Sequence, residues 1–347
     1  MKFSWLKEKF TLDVFYATTL GTIVALIIGA VLILMAGADP MVAYSSLLYG
    51  AFGGLKNVSE VLVKASPLML TGLSVTIAFR CQFWNIGAEG QLTIGALFTT
   101  LIGLGFTHFP SPLLIFMAIV ASFLAGGLFA AIAGLLKVKF QANEIIVTLM
   151  LNFIAILTVS HLVHRELRDP AAWLPVSQVI SLPTRLPIIL PGTRLHAGLI
   201  VGLICVFLAY VLIFKTTLGY KIRAVGLGSK TAYCSGVSIS KSVIIASLIS
   251  GGLAGLAGMG EIAGIHYRLK EGISMGYGFT GILIALLGRL HPLGVVLASI
   301  LFSALVVGAE SMQRTAGVPV FLTQAIQALI VLCILGFEVL FKKRGKV

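Results

Sequence analysis

The sequence predicts an all-α fold, a polytopic bundle of membrane-spanning helices. Three observations predict it. The 347 residues are 58% hydrophobic and only 11% charged, a composition far from that of water-soluble domains. Apolar runs near the roughly 20 residues that cross a hydrocarbon core recur about ten times. Sixteen of the 25 lysines and arginines fall in alternate segments between the runs and at the chain ends, the bias by which membrane proteins set their orientation.

The first span is expected over Tyr16 to Ala36. Lys2, Lys7 and Lys9 precede it, and Ala36-Gly37-Ala38 has the look of a cleavage site. The apolar run from Thr18 to Met35 exceeds a usual signal core of roughly 7–15 residues, so it reads as a retained span. Asp39-Pro40 reads as a helix start, with Asp as N-cap and Pro in the first turn. Met41 to Phe52 is too short to cross and is placed at the outer surface. The second span is expected over Val58 to Phe79, and the third continues beyond a polar gap to Phe106. The fourth runs from Leu113 to Leu136 and the fifth from Glu144 to Val163.

Residues 165–195 hold Pro170, Pro175, Pro183, Pro187 and Pro191. Each proline removes a backbone donor and blocks helix propagation, so this is an external structured loop. Ala197 to Phe214 forms the sixth span, and the basic, small-residue segment 215–241 follows it. Further spans are expected over Ser242 to Ile265, Gly276 to Leu287, Leu293 to Ala309 and Val320 to Phe341. Ten spans put both termini on one side. Placing that side in the cytoplasm assigns to it Lys2, Lys7, Lys9, Arg80, the lysines of 137–139, the basic groups of 215–241, Arg289 and the terminal Lys342, Lys343, Arg344 and Lys346. The net charge of +13 thus marks orientation in a lipid bilayer, not nucleic-acid binding. No separate soluble domain is visible, and residues 1–347 read as one transmembrane domain. The second to fifth and seventh to tenth spans run in opposite senses, which permits an inverted repeat.

One stretch interrupts this apolar pattern: Arg80-Cys-Gln-Phe-Trp-Asn-Ile-Gly-Ala-Glu-Gly-Gln91. A charge at a helix centre costs about 2.5–3.5 kcal/mol on insertion scales. The stretch is either a polar turn between spans or a broken helix beside a watery path. On the second reading Asn85, Glu89 and Gln91, with Asn143 and Asn152 further on, hydrogen-bond a polar solute. Phe83 or Trp84 would stack on a flat ring, or else anchor at the membrane interface.

Other candidates are weaker. Gly251, Gly255, Gly258, Gly260 and Gly264 stud the seventh span and predict close helix contact. Glu261 in that span is an intramembrane carboxylate, and such groups are functional candidates. His161 and His164 lack the i, i+4 spacing and the intervening glutamate of zinc hydrolases. Cys81, Cys205, Cys234 and Cys333 have no paired spacing. Gly226 to Thr231 lacks the G-K-[ST] of a phosphate-binding loop, because Ser229 separates Gly228 from Lys230. No catalytic, metal or cofactor site is expected, and any ATP site lies on another chain.

Four stretches together carry a family resemblance: Phe83 to Gln91, Ala142 to Asn152, Gly219 to Gly226, and Gly278 to Gly294. The chain resembles the permease subunits of bacterial ABC importers for nucleosides and simple sugars, in the branched-chain amino acid and ribose permease group. The resemblance covers about Asp39 to Phe341. It implies a multi-pass protein of the cytoplasmic membrane that translocates a nucleoside or a simple sugar; riboflavin, a flat ring with a polyol, suits the same side chains. It implies three partners: a second permease subunit, a cytoplasmic ATPase and an external substrate-binding lipoprotein. It further implies that Gly219, Tyr220, Arg223, Ala224, Gly226, Ala232 and Gly236 belong to the segment that contacts the ATPase. The chain departs from the family pattern at Thr231 to Val237, where an Ala-Ala-Arg-like run is usual. A self-sufficient secondary transporter would need coupling carboxylates in several spans, and only Glu89, Glu144 and Glu261 qualify.

Overall fold

The computed structural model describes residues 12–344. Thirteen α-helices account for most of them, and no regular strand occurs among the described residues. In chain order the helices are α1 (Leu12–Met35), α2 (Pro40–Phe52), α3 (Leu55–Arg80), α4 (Ala88–Gly105), α5 (Ser111–Phe140), α6 (Glu144–His164), α7 (Gly198–Lys215), α8 (Thr217–Leu227), α9 (Ser229–Cys234), α10 (Ile239–Glu261), α11 (Tyr277–Leu287), α12 (Pro292–Ala316) and α13 (Val320–Arg344). Every expected span is a helix. Lys2, Lys7, Lys9 and Lys346, used above for orientation, lie outside the described residues.

The count of spans is coarser than the sequence suggested. Six helices are long and apolar enough to cross a membrane, or seven if the bent pair of α1 and α2 is one span. Besides α1, three expected spans fall short: α13, whose apolar part is Phe321–Phe337, and α11 and α4. α11 has 11 residues, about 16 Å at 1.5 Å per residue, against a hydrocarbon core of about 30 Å. α4 carries Glu89 and Gln91 in its first turn, which lowers its hydropathy.

The described residues divide into two units. One comprises the chain up to Val58 and from Ala304 onward. Here α1 packs on α13, where Gly21 lets the helix approach the backbone of Ile334. Asp39 caps α2 by accepting from the Met41 N–H at 2.8 Å, with Pro40 at the first helical position. The axis turns by 119° between α1 and α2, so α2 does not prolong the first helix.

The other unit is Ser59–Ser303. α10 lies at its centre and packs against α5 and α4. The glycine spacing read from the sequence makes this possible, since small residues let backbones approach. Gly95 of α4 and Gly126 of α5 both meet α10 at Gly255. Segment 165–195 is ordered across the ends of α4 and α10. Ser181 N–H bonds Gly103 O at 3.1 Å, Leu186 N–H bonds Ala263 O at 2.8 Å, and Ser177 N–H bonds Leu269 O at 2.8 Å. α10 ends in a π-helical turn over Ile262–His266.

Two outcomes follow. A methyl on Gly255 would meet Ser122 C at 3.0 Å and Gly126 Cα at 3.3 Å, both of them backbone. Overpacking of this kind costs about 1–3 kcal/mol. Gly255→Val should therefore lower the melting temperature of the detergent-solubilised protein, whereas Gly260→Ala, with nothing within 4 Å, should leave it unchanged. The second outcome concerns His196, in the loop before α7. Burial lowers its pKa from 6.5 to about 4, and its Nδ1 accepts from Gly198 N–H at 3.1 Å. The unfolded chain binds the extra proton first, so stability is full above pH 6.5 and falls as the pH drops towards 4. In thermal melts across that window His196→Gln should show a flatter pH dependence than the natural chain.

Candidate functional site

The polar stretch is a helix break. α3 stops at Arg80 in a Schellman motif, with Gln82 N–H bonded to Phe79 O and Phe83 N–H to Ala78 O, both at 3.0 Å. Gln82 takes the left-handed conformation, φ 52°. Residues 81–87 are non-helical, and α4 starts at Ala88.

The break is held by its own amides. Asn85 Nδ2 donates to Gln91 Oε1 and to Ser250 Oγ, each at 2.9 Å. Asn85 Oδ1 accepts from Gln91 Nε2 and from Gly87 N–H, again at 2.9 Å. Both donors and both acceptor positions of the Asn85 amide are thereby used. Ser250 Oγ in turn donates to Ser74 O at 2.8 Å. Asn152 of α6 accepts from Gly90 N–H at 2.8 Å and donates to Ile86 O at 2.9 Å. In this conformation Asn85, Gln91 and Asn152 support the backbone of the break. Phe83 is fully buried beneath it.

Glu89 has a different setting. It is only 5% exposed, and its carboxylate reaches across to the start of α11. Oε1 accepts from Gly276 N–H at 3.0 Å and from the Ser274 hydroxyl, while Oε2 accepts from Gly278 N–H at 2.7 Å. A helix N-terminus carries unpaired N–H groups and partial positive charge. Glu89 from α4 therefore caps α11 across the bundle. Gly278 fits because a side chain there would strike the backbone of Ala88 and Glu89. The contact lies between the two ends of this unit. At 1.5 Å per residue Glu89 is about 21 Å along α4 from Gly103. α11 rises about 16 Å from the turn that follows it.

Beside Glu89 lies a cavity of about 160 Å³, lined also by Thr93, Ile156, Val159 and residues 270–276. It is smaller than the roughly 300–1,000 Å³ of typical ligand pockets. Trp84 and Asn143 are elsewhere. Trp84 is exposed and sits edge-on to Phe79 with centroids 4.6 Å apart. Asn143 caps α6 by accepting from Ile145 N–H at 3.0 Å. Near them Lys137 of α5 pairs with Glu144 of α6 and donates to Gln82 O at 3.0 Å. The structure thus brings Asn85, Glu89, Gln91 and Asn152 together and leaves Trp84 and Asn143 apart. Ser74, Ser250 and Ser274 escaped notice in the sequence, because a lone serine in an apolar helix or loop carries no signal of its distant partner. Glu261 is buried, with Oε2 3.4 Å from His266 Nε2 and Oε1 without a hydrogen-bond partner.

Segment 215–241 forms two short helices. Thr216 Oγ1 caps α8 by accepting from Gly219 N–H at 3.1 Å. Gly228 separates α8 from α9, and Gly236 follows α9 with φ 76°. Gly226 lies inside α8 against the carbonyl of Arg80. Gly219 packs on the carbonyls of Leu212 and Ile213. Ile222, Val225 and Ala232 are buried, whereas Tyr220, Leu227 and Tyr233 are exposed. Arg223 is half-buried and Ala224 partly exposed. One face of α8 seats it, and the other is open.

Comparison with known proteins agrees with this architecture. Residues 57–335 match the family model "Branched-chain amino acid transport system / permease component". The guanosine ABC transporter permease protein NupP of Bacillus subtilis (strain 168) is 36% identical over 89% of this chain and 90% of its own. The glucose ABC transporter permease protein of Haloferax volcanii is 35% identical over 96% of this chain and 90% of its own. The guanosine ABC transporter permease protein NupQ, also from Bacillus subtilis (strain 168), is 26% identical over 71% of this chain and 79% of its own. The chain is a multi-pass membrane permease subunit and belongs to the branched-chain amino acid transport system permease component family.

Proposed function

We propose that this chain is the permease subunit of an ATP-driven importer that moves a nucleoside across the cytoplasmic membrane. It is read as a single permease domain with ten membrane-embedded helical segments and both termini in the cytoplasm, α4 and α11 being the two segments that meet inside the membrane. Segment 165–195 then faces outward, where a substrate-binding lipoprotein delivers the solute. α8 and α9 face the cytoplasm and dock on an ATP-binding subunit. A second permease completes the pathway. Two permeases named for guanosine in one Bacillus subtilis strain, NupP and NupQ, support that pairing.

The observation that carries the reading is the Glu89 cap on α11. Transporters place discontinuous helices, with their unpaired backbone ends, where the solute crosses. Here two helix starts meet at a buried carboxylate. We assign Asn85, Glu89, Gln91 and Asn152 to the wall and support of the path, with Phe83 beneath it and Trp84 and Asn143 at its cytoplasmic end. A simple sugar is the second reading, favoured by the glucose permease at almost the same identity. Uptake of labelled guanosine and of labelled glucose, measured side by side in the reconstituted complex, separates the two. Guanosine should accumulate, and accumulation of glucose alone would establish the sugar.

Two substitutions test the site. Glu89→Gln puts an amide NH₂ against N–H donors, leaving buried groups unpaired at about 1–3 kcal/mol. Uptake and solute-stimulated ATP hydrolysis should both fall about tenfold or more, since 1.4 kcal/mol is tenfold; wild-type values would make Glu89 a structural cap only. Ala224→Glu places a bulky charge on partly exposed α8. The ATPase subunit should no longer co-purify, while the second permease still does. Stoichiometric ATPase with normal uptake would put the dock elsewhere.

A further inference from the structure

We propose that Arg80 is the joint that carries movement of α8 to α11, and that the turn Gly288–Gly294 is its receiving part. The inference rests on α8 being the ATPase dock. It accounts for a stretch whose role the family resemblance leaves open.

Arg80 is the last residue of α3 and stands at the foot of the break. On one side it meets α8. Gly226 lies so close that any side chain there would strike the Arg80 carbonyl. The guanidinium of Arg80 lies 5.0 Å from the centre of the Phe214 ring, and that of Arg223 in α8 lies 5.6 Å from the same ring. Two like charges thus share one aromatic ring, each drawn to it and each repelling the other. A displacement of α8 moves Arg223 and changes that balance at Arg80.

On its other side Arg80 holds the end of α11. Its Nε donates to Leu290 O at 2.6 Å, and His291 stacks on Phe214 with centroids 5.2 Å apart. The receiving turn is stiff. Arg289 and Leu290 both adopt the left-handed conformation, φ 54° and 53°, which non-glycine residues enter only when held. Leu290 N–H bonds back to Ala285 O and Arg289 N–H to Leu286 O, at 2.8 and 2.9 Å. A methyl on Gly288 would meet Gly294 C at 2.7 Å, so the backbones on either side of the turn touch. A pull on Leu290 therefore moves the 11-residue α11 as a body. The other end of that body is the Glu89 cap. Arg80 is a positioning residue, acting on the path through α11.

The test uses the full complex in proteoliposomes, with three readouts: ATPase retained, ATP hydrolysed and solute taken up. Arg80→Gln should keep the ATPase bound and hydrolysing within about twofold of wild type, and should lose uptake by about tenfold or more. Phe214→Leu, which leaves Arg80 intact, should show the same split, and Phe214→Tyr, which keeps the ring, should restore uptake. Wild-type uptake in both Arg80→Gln and Phe214→Leu would overturn the proposal. Loss of the ATPase from Arg80→Gln would overturn it too, since Arg80 would then belong to the dock. Should Arg80→Gln fail to fold, Phe214→Leu decides. A failure of the docking reading itself appears separately, as an Ala224→Glu complex that retains its ATPase.

Discussion

A buried polar group must find a partner, and the stretch Arg80 to Gln91 is built around that requirement. Within an apolar body an unpaired amide or carboxylate costs several kcal/mol. Here the Asn85 amide uses all its hydrogen-bonding positions on Gln91, Gly87 and Ser250. Asn152 ties the same backbone to α6. The break can exist because its own amides, Ser250 of α10 and Asn152 of α6 supply its partners. With it fixed, α4 starts deep in its unit and Glu89 is aimed at α11.

That placement turns two local irregularities into one device. α11 is too short to cross a bilayer alone, and α4 begins with an acid that a plain span would not hold. Each explains the other, since the carboxylate satisfies the N–H groups that a half-helix leaves open. The glycines of α10 serve the same end. Their close packing on α4 and α5 sets α4 at the depth where Glu89 meets Gly278.

Much of this was legible in the sequence. Each apolar run of hydrocarbon length became a helix, and the Asp39-Pro40 start formed as its residues predict. The break was legible as a break because five polar or charged side chains interrupt an apolar pattern. Its internal wiring was not. Asn85, Gln91 and Asn152 advertise hydrogen-bonding capacity, but sequence does not show whether solute or backbone consumes it. Ser250 lies 165 positions from Asn85, and no local pattern links them. The same limit hid the inward turn of Ile222 and Val225, since the apolar residues of so short a helix do not reveal which of its faces is covered.

The central claim is that the α4–α11 contact borders the path of the solute. Thr93, in the cavity wall beside Glu89, can report on it directly. In a chain whose four cysteines are replaced, Thr93→Cys is exposed to a membrane-impermeant thiol reagent, with the full complex held nucleotide-free and then ATP-bound. The claim predicts labelling in one nucleotide state, its loss in the other, and slower labelling in the presence of solute. A cysteine that stays unlabelled in both states, in a complex that still transports, would contradict it.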